Sequence, residues 1–189
     1  MWFYDPQRDN EGVFNKMVSY VDGPFCHCEL QFEDDTAFTI YMGQTISMRK
    51  RKFDSEFYTG VCLNIPLYKV TQARQSATSE YESKKMFSFL NMSSCMVGRQ
   101  LTTNGTFCSK LIVTILKNAD ILNSNIDENI TSPSALYRIL NSTVVDENTC
   151  SIPIDFKVKH QATADLSFLC DIPLYKRPED MPARLHVTD

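Results

Sequence analysis

The order of hydrophobic and polar residues along the chain predicts a mixture of helices and antiparallel strands. After an apolar helical face in 9–20, hydrophobic and polar residues alternate through 25–32, which is typical of a strand with one buried side. A polar turn at 33–36 leads into 37–47, which is rich in Phe, Ile, Tyr and Thr and is predicted as the hairpin partner. A third strand is predicted over 57–65.

Three helices are predicted to follow these strands. The first covers 71–92, the second begins near Cys108, and the third runs over 132–140, where a Ser-Pro-Ser sequence supplies a cap and a proline near the first helical position. The helix that begins near Cys108 has an apolar stripe with helical spacing, made of Leu111, Ile112, Ile115, Leu116, Ala119 and Leu122. A last strand is predicted over 152–159.

These elements predict an α+β fold in which a small antiparallel sheet or half-barrel packs against the helix that begins near Cys108. The chain has 189 residues, of which 43% are hydrophobic, and this is enough to form a sizeable core. We therefore expect one domain over 1–159. Residues 160–189 show little periodicity and are predicted to be an extended C-terminal tail that docks on this domain or on a neighbouring chain.

Composition and charge exclude several classes of protein. A net charge of −4 argues against a dedicated nucleic-acid-binding protein. No apolar run approaches the roughly 20 residues of a membrane-spanning helix, and the N-terminal segment contains Asp5 and no apolar core, so no signal peptide is expected. The basic run 49–52 could meet phosphate groups of a nucleic acid or an anionic membrane, but a solvated strand edge is the favoured interpretation.

The seven cysteines are scattered along the chain, which favours reduced thiols in a cytosolic or nuclear setting. Cys26, His27 and Cys28 are three adjacent potential metal ligands. Because consecutive strand residues point to opposite faces, they are not expected to converge on one zinc ion. We expect neither a metal nor an organic cofactor.

Cys108 and His27 are the strongest candidates for chemistry. Cys108 lies at the predicted start of a helix, where oriented N–H groups lower the pKa of a thiol. His27, on the first predicted strand, would stabilise the thiolate if the strand packs across that helix end. The alternative interpretation is that both are ordinary structural residues, since a buried cysteine is most often a small core residue.

The chain resembles the circularly permuted branch of the NlpC/P60 papain-like superfamily. The resemblance rests on a hairpin histidine, His27, that precedes Phe107-Cys108-Ser109-x-Leu111 at the opening of a helix, and it covers about 20–140. The short helix predicted over 132–140 is similar to one that follows the cysteine helix in relatives from large DNA viruses. Other members of this branch are YiiX-type bacterial proteins and relatives of lecithin retinol acyltransferase.

The resemblance implies a thiol nucleophile, a histidine base and a third polar residue that orients the histidine. Cys108 and His27 correspond to the first two roles. Two residues are candidates for the third role. Glu29 shares the face of His27 two residues further along the strand, and Gln44 is a diagonal neighbour across the hairpin.

The predicted register of the hairpin leaves this choice open. With Gln31 paired to Phe38, the residue opposite His27 is Met42, which cannot orient an imidazole. An orienting residue needs to accept only one hydrogen bond, so a carboxylate or an amide would serve.

The resemblance implies two alternative functions. The first is a thiol hydrolase or acyltransferase, such as a cysteine peptidase, an amidase or a phospholipid acyl hydrolase, with a peptide or lipid substrate. The alternative is a catalytically silent virion protein, a minor capsid or core component, whose partners are other virion proteins. Both place the protein in the host cytoplasm or the virion.

Overall fold

A computed structural model describes residues 1–8, 13–96 and 104–143, and these form a five-stranded sheet with helices. All neighbouring strands are antiparallel, and their order across the sheet is β4-β3-β2-β1-β5. The strands are β1 (Trp2–Tyr4), β2 (His27–Gln31), β3 (Thr36–Thr39), β4 (Ser47–Lys50) and β5 (Tyr58–Gly60). The prediction of an α+β fold with a small antiparallel sheet is confirmed.

Five helices lie within the described residues. They are α1 (Val13–Asp22), α2 (Leu67–Glu82), α3 (Phe89–Met96), α4 (Cys108–Asn118) and α5 (Pro133–Thr143). The single helix predicted over 71–92 is wrong, because that segment contains α2, a break and α3. At the break Lys84 adopts a positive φ of 54°, and the following residues turn to form bridges with Thr45 and Thr106.

Helix α4 forms the centre of the core. It packs against β2 and β3 of the sheet and against α2 and α5. The predicted apolar stripe is confirmed, since each of its members is at most 7% exposed: Leu111, Ile112, Ile115, Leu116, Ala119 and Leu122. The first residue of this helix is consequently held against the sheet.

Strand β1 was not predicted from the sequence, although it lies between β2 and β5. Three residues are too few to show a periodic pattern. Burial explains why the segment belongs to the sheet. Phe3 is fully buried, and its ring centroid lies 5.5 Å from that of Phe25 and 5.3 Å from that of Tyr137.

The register of the β2–β3 hairpin differs by one residue from the predicted one. Phe38 pairs with Leu30, and Gln31 pairs with Ala37. Continuing this register places Tyr41 opposite His27, where Met42 was predicted. A shift of one residue exchanges the two faces of a strand, so it changes which side chains can meet His27.

Two predictions cannot be compared with the fold. The strand over 152–159 and the tail over 160–189 lie outside the described residues. Among the helices that are described, none is both long and apolar enough to cross a membrane.

We expect Phe3→Ala to lower the free energy of unfolding by about 3–5 kcal/mol, because it leaves a cavity between Phe25 and Tyr137. Urea denaturation followed by circular dichroism measures this. Tyr68→Ala is the matched control, since Tyr68 is 62% exposed and its loss should change the free energy by no more than about 0.5 kcal/mol. Equal effects of the two substitutions would contradict a central position for β1.

Candidate active site

The backbone on both sides holds Cys108 at the start of α4. The preceding segment is extended, with φ −140° and ψ 171° at Phe107. Thr106 is tied to a neighbouring segment by two backbone hydrogen bonds, in which its N–H donates to the Met86 carbonyl at 3.1 Å and its carbonyl accepts from the Ser88 N–H at 2.7 Å. The N-cap residue, Phe107, makes no side-chain hydrogen bond to the first turn of α4, so among the described residues the N–H groups at this helix start have no N-cap side chain as a partner.

His27 is the first residue of β2 and lies where β2 and β3 diverge. The β2–β3 pairing is formed at Leu30 and Gln31, while the His27 end of β2 remains paired with β1. The imidazole stacks on the ring of Tyr41, with centroids 4.9 Å apart and planes inclined by 23°. Its side chain is 15% exposed.

The packing of α4 on β2 brings the His27 imidazole into hydrogen-bonding contact with the Cys108 thiol. Cys28 reaches the same sulfur, through its thiol and through its backbone N–H. A backbone N–H points along the sheet, so the sulfur lies beside the edge of β2. This position explains how two consecutive strand residues, whose side chains alternate in direction, both contact one atom.

Thr39 is the hydrogen-bond partner of the other nitrogen of the His27 imidazole, Nε2. Its Oγ1 lies 3.0 Å from His27 Nε2 and donates to the Cys28 carbonyl oxygen at 3.2 Å. Because the hydroxyl proton is used by that carbonyl, the oxygen accepts a proton from Nε2. This arrangement keeps a proton on Nε2 and leaves Nδ1 to exchange a proton with the sulfur of Cys108.

Glu29 provides a negative charge near the same nitrogen. Its Oε1 lies 3.6 Å from His27 Nε2, and the side chain is fully buried. The same oxygen accepts hydrogen bonds from Arg51 Nη1 at 2.6 Å and from the Tyr41 hydroxyl at 2.8 Å. Burial alone would raise the pKa of Glu29, but hydrogen bonds and charges from His27, Arg51 and Tyr41 lower it below its usual range.

Two arginines of the basic run help to stabilise this carboxylate. Arg49 lies in β4, and Arg51 lies in the extension of that strand. Arg51 Nη2 donates to the Tyr58 hydroxyl at 2.6 Å, and Arg49 Nη2 donates to the Tyr41 hydroxyl at 2.9 Å. Only alternate residues of the run face solvent, as Lys50 does in its exposed pair with Asp34. The interpretation of 49–52 as a solvated edge is therefore wrong for the arginines.

The electrostatics of the pair favour a thiolate and an imidazolium. Hydrogen bonds from Cys28 and His27, together with the charge of His27, lower the pKa of the Cys108 thiol well below its ordinary value, although burial opposes them. Burial would lower the pKa of His27, but contact with Cys108 and Glu29 raises it to about 9. Each partner stabilises the charged form of the other.

The cysteines around this site have the opposite tendency. Burial is the main cause that raises the pKa of Cys28 and of Cys26 well above the ordinary value. For Cys28 the hydrogen bond with Cys108 and the charge of Cys108 add to this effect, and for Cys26 the charge of Cys108 does. Burial also raises the pKa of Cys95 to about 12. Cys108 therefore differs from these neighbours, which carry their protons at neutral pH.

Gln44, the other candidate for orienting His27, lies in the turn after β3. Its backbone N–H donates to the Tyr41 carbonyl at 3.0 Å and its carbonyl accepts from the Phe87 N–H at 2.9 Å. With Tyr81 and Lys84, among others, it lines an open cavity of about 680 Å³. The structure thus brings Cys108, His27 and Glu29 together, and gives Gln44 a different surrounding.

Thr39, Tyr41 and Arg51 are residues of this site that the sequence analysis missed. The correct hairpin register would have indicated Tyr41, and Thr39 precedes it by two residues on the same face. Within the described part of the chain, no three His, Cys, Asp or Glu side chains are grouped so that they could hold a metal ion. In comparisons with protein families, curated proteins and solved structures, the chain matches none.

We expect Arg51→Met to lower the free energy of unfolding by about 3–5 kcal/mol, because it leaves the buried carboxylate of Glu29 without its cation. Urea denaturation at pH 7 measures the loss. The matched control is Lys50→Met at the adjacent position. Lys50 pairs with Asp34 in solvent, at 3.1 Å, and this change should cost no more than about 1 kcal/mol. A loss for Arg51→Met as small as the control's would contradict a structural role for this ion pair.

Proposed function

We propose that the protein is a thiol hydrolase or acyltransferase of the circularly permuted NlpC/P60 papain-like type, acting on an amide or ester bond. The observation that carries the proposal is the contact between the Cys108 thiol, at a helix start, and the His27 imidazole, whose other nitrogen is engaged by Thr39 and faces Glu29. Nucleophile, base and orienting groups are the parts that such chemistry needs.

In the proposed reaction, the Cys108 thiolate attacks the substrate carbonyl carbon and forms a C–S bond. The tetrahedral intermediate collapses as His27 gives its Nδ1 proton to the leaving nitrogen or oxygen, and the substrate bond breaks to leave a thioester on Cys108. Neutral His27 then takes a proton from water, or from another molecule that accepts the acyl group, and this nucleophile attacks the thioester. This step releases the acyl product and restores the thiolate and the imidazolium.

The first turn of α4 supports the proposal by offering donors for the negative oxygen of that intermediate. Its N–H groups have no side-chain cap, and they lie beside the nucleophile because Cys108 is the first residue of the helix. Such donors are a common means of stabilising a tetrahedral intermediate.

We assign the orienting role to Thr39 and Glu29 together. Thr39 makes the hydrogen bond at 3.0 Å that selects the tautomer, whereas Glu29, at 3.6 Å, contributes mainly its charge. The charge stabilises the imidazolium, and the hydrogen bond fixes the direction of the ring. Gln44 is not needed for either role.

One observation favours the alternative, a catalytically silent virion structural protein that reuses the fold for assembly. The described residues leave only 4% of Cys108 exposed. Substrate would have to approach over the more exposed edge of His27. A buried, unreactive thiol is what a purely structural role requires, so the reactivity of Cys108 separates the two proposals.

The proposal predicts that iodoacetamide alkylates Cys108 at pH values well below the free-thiol pKa of about 8.5. His27→Ala should move the midpoint of the rate–pH curve upward, because the thiolate loses its imidazolium partner. Peptide mass spectrometry reports the rate at each cysteine. The exposed thiol of Cys62 is the reference in every digest. An ordinary midpoint at Cys108, unchanged by His27→Ala, would remove the basis for catalysis.

Acylation tests the chemistry itself. With p-nitrophenyl acetate, we expect a burst of about one p-nitrophenol per chain and an acetyl group on the Cys108 peptide, both absent in Cys108→Ser. With an anilide substrate, whose leaving nitrogen must be protonated, acylation should slow as pH rises through about 9, because His27 loses the proton that it gives to that nitrogen. Acetylation of Cys62 alone would favour the structural alternative.

A pair of substitutions at Thr39 tests the orienting role. Thr39→Val removes the acceptor for Nε2–H, so the imidazolium becomes less stable and Cys108 is alkylated more slowly at pH 6. We expect a loss of roughly tenfold or more, since a hydrogen bond to a charged group contributes about 1.5–3 kcal/mol. Thr39→Ser keeps the hydroxyl and should retain most of the wild-type rate. If valine and serine give the same rate, Thr39 does not position His27.

A further inference from the structure

Cys28 is a second thiol in direct contact with Cys108. It lies on β2, is fully buried, and hydrogen-bonds through both its thiol and its backbone N–H to the Cys108 sulfur. The two residues belong to the same core cluster, where α4 packs on β2. The mechanism of hydrolysis does not use the thiol of Cys28, so its position calls for another explanation.

Two other cysteines of the region differ from Cys28 in this respect. The charge of Cys108 raises the pKa of Cys26 and of Cys95, whereas Cys28 also hydrogen-bonds with Cys108. A disulfide requires sulfur atoms about 2.05 Å apart and Cβ atoms about 3.5–4.5 Å apart. Of these three thiols, the one that already contacts the sulfur needs the smallest movement.

We propose that Cys28 is the resolving thiol for Cys108, and that peroxide converts the pair into a reversible disulfide that switches off the active site. This inference rests on the proposed function in one respect, the activated thiol of Cys108. It adds a modification site and its oxidant, a hydroperoxide such as hydrogen peroxide.

The chemistry proceeds in two balanced steps. The Cys108 thiolate attacks one peroxide oxygen, the O–O bond breaks, and the departing hydroxide takes a proton, which gives a sulfenic acid and water. The Cys28 sulfur then attacks the sulfenic sulfur. The S–O bond breaks, the hydroxide accepts the thiol proton of Cys28, and a disulfide and a second water form. Two electrons pass from the two thiols to the peroxide.

The difference between the two thiols supports this order of events. Cys108 is the thiolate of the pair and is oxidised first, whereas Cys28 remains a thiol until a sulfenic acid lies beside it. His27 also contacts Cys108 and, as an imidazolium, can supply the proton that the departing hydroxide takes in the first step. The product links β2 to α4 and removes the nucleophile until a dithiol reductant restores both thiols.

The test uses the full wild-type chain. Reduced protein is treated with hydrogen peroxide, alkylated, digested without reductant and analysed by mass spectrometry. We expect a disulfide-linked peptide pair containing Cys28 and Cys108, and recovery of nearly all Cys108 alkylation after dithiothreitol. Three results would overturn the proposal. Cys108 could be found as a sulfenic or sulfinic acid while Cys28 stays free, it could be joined to another cysteine, or it could not be oxidised at all.

Matched serine variants define the role of the resolving thiol. In Cys28→Ser, Cys108 should accumulate as sulfenic acid, trapped by dimedone, and then as sulfinic acid, so that dithiothreitol restores only a minor fraction of its reactivity. Cys26→Ser should behave as wild type, because Cys26 interacts with Cys108 through charge. If the serine disturbs packing at this buried position, Cys28→Ala replaces it as the test variant. Circular dichroism checks the fold of each variant.

Failure of this proposal and failure of the proposed function can be told apart. If Cys108 shows its low alkylation midpoint and is acetylated, but no link to Cys28 forms, the hydrolase proposal stands and the switch is wrong. If the alkylation midpoint is ordinary and no acetyl group is found, the proposed function fails. A disulfide formed only above about pH 8.5 would then reflect contact between two ordinary thiols, and the switch would fail with it.

Discussion

The buried carboxylate of Glu29 is the constraint on which the rest of the site depends. A fully buried negative charge costs several kcal/mol unless cations and hydrogen-bond donors surround it. Arg51 and Tyr41 supply those contacts, and they come from β4's extension and from the residues after β3. The contacts of one carboxylate oxygen therefore join three parts of the hairpin region and leave His27 beside a fixed negative charge.

The divergence of β2 from β3 gives this region its chemistry. Where the two strands separate, the carbonyl of Cys28 accepts from the side chain of Thr39, and the sulfur of Cys108 reaches the edge of β2. A regular hairpin would use these backbone groups for its own ladder. The gap lets the start of a helix meet the edge of a sheet, so that helix N–H groups, an imidazole and a second thiol surround one sulfur.

The same contacts bear on both proposals made for Cys108. Donors that stabilise a thiolate prepare it for attack on a carbonyl carbon and equally for attack on a peroxide. The second proposal uses Cys28, whose thiol and backbone N–H hydrogen-bond with the Cys108 sulfur. The two proposals therefore depend on the same hydrogen bonds of Cys28 and His27 with one sulfur.

The sequence by itself determined the features that depend on local order. The stripe of α4, the alternation of β2 and the helix start at Cys108 are recorded in the spacing of nearby residues. Tertiary structure decided the strand Trp2–Tyr4, the one-residue register of the hairpin, and the contacts of Thr39 and Arg51 with the His27–Glu29 pair. These depend on which segments pack together, because burial and charge compensation act between residues that are far apart in the chain.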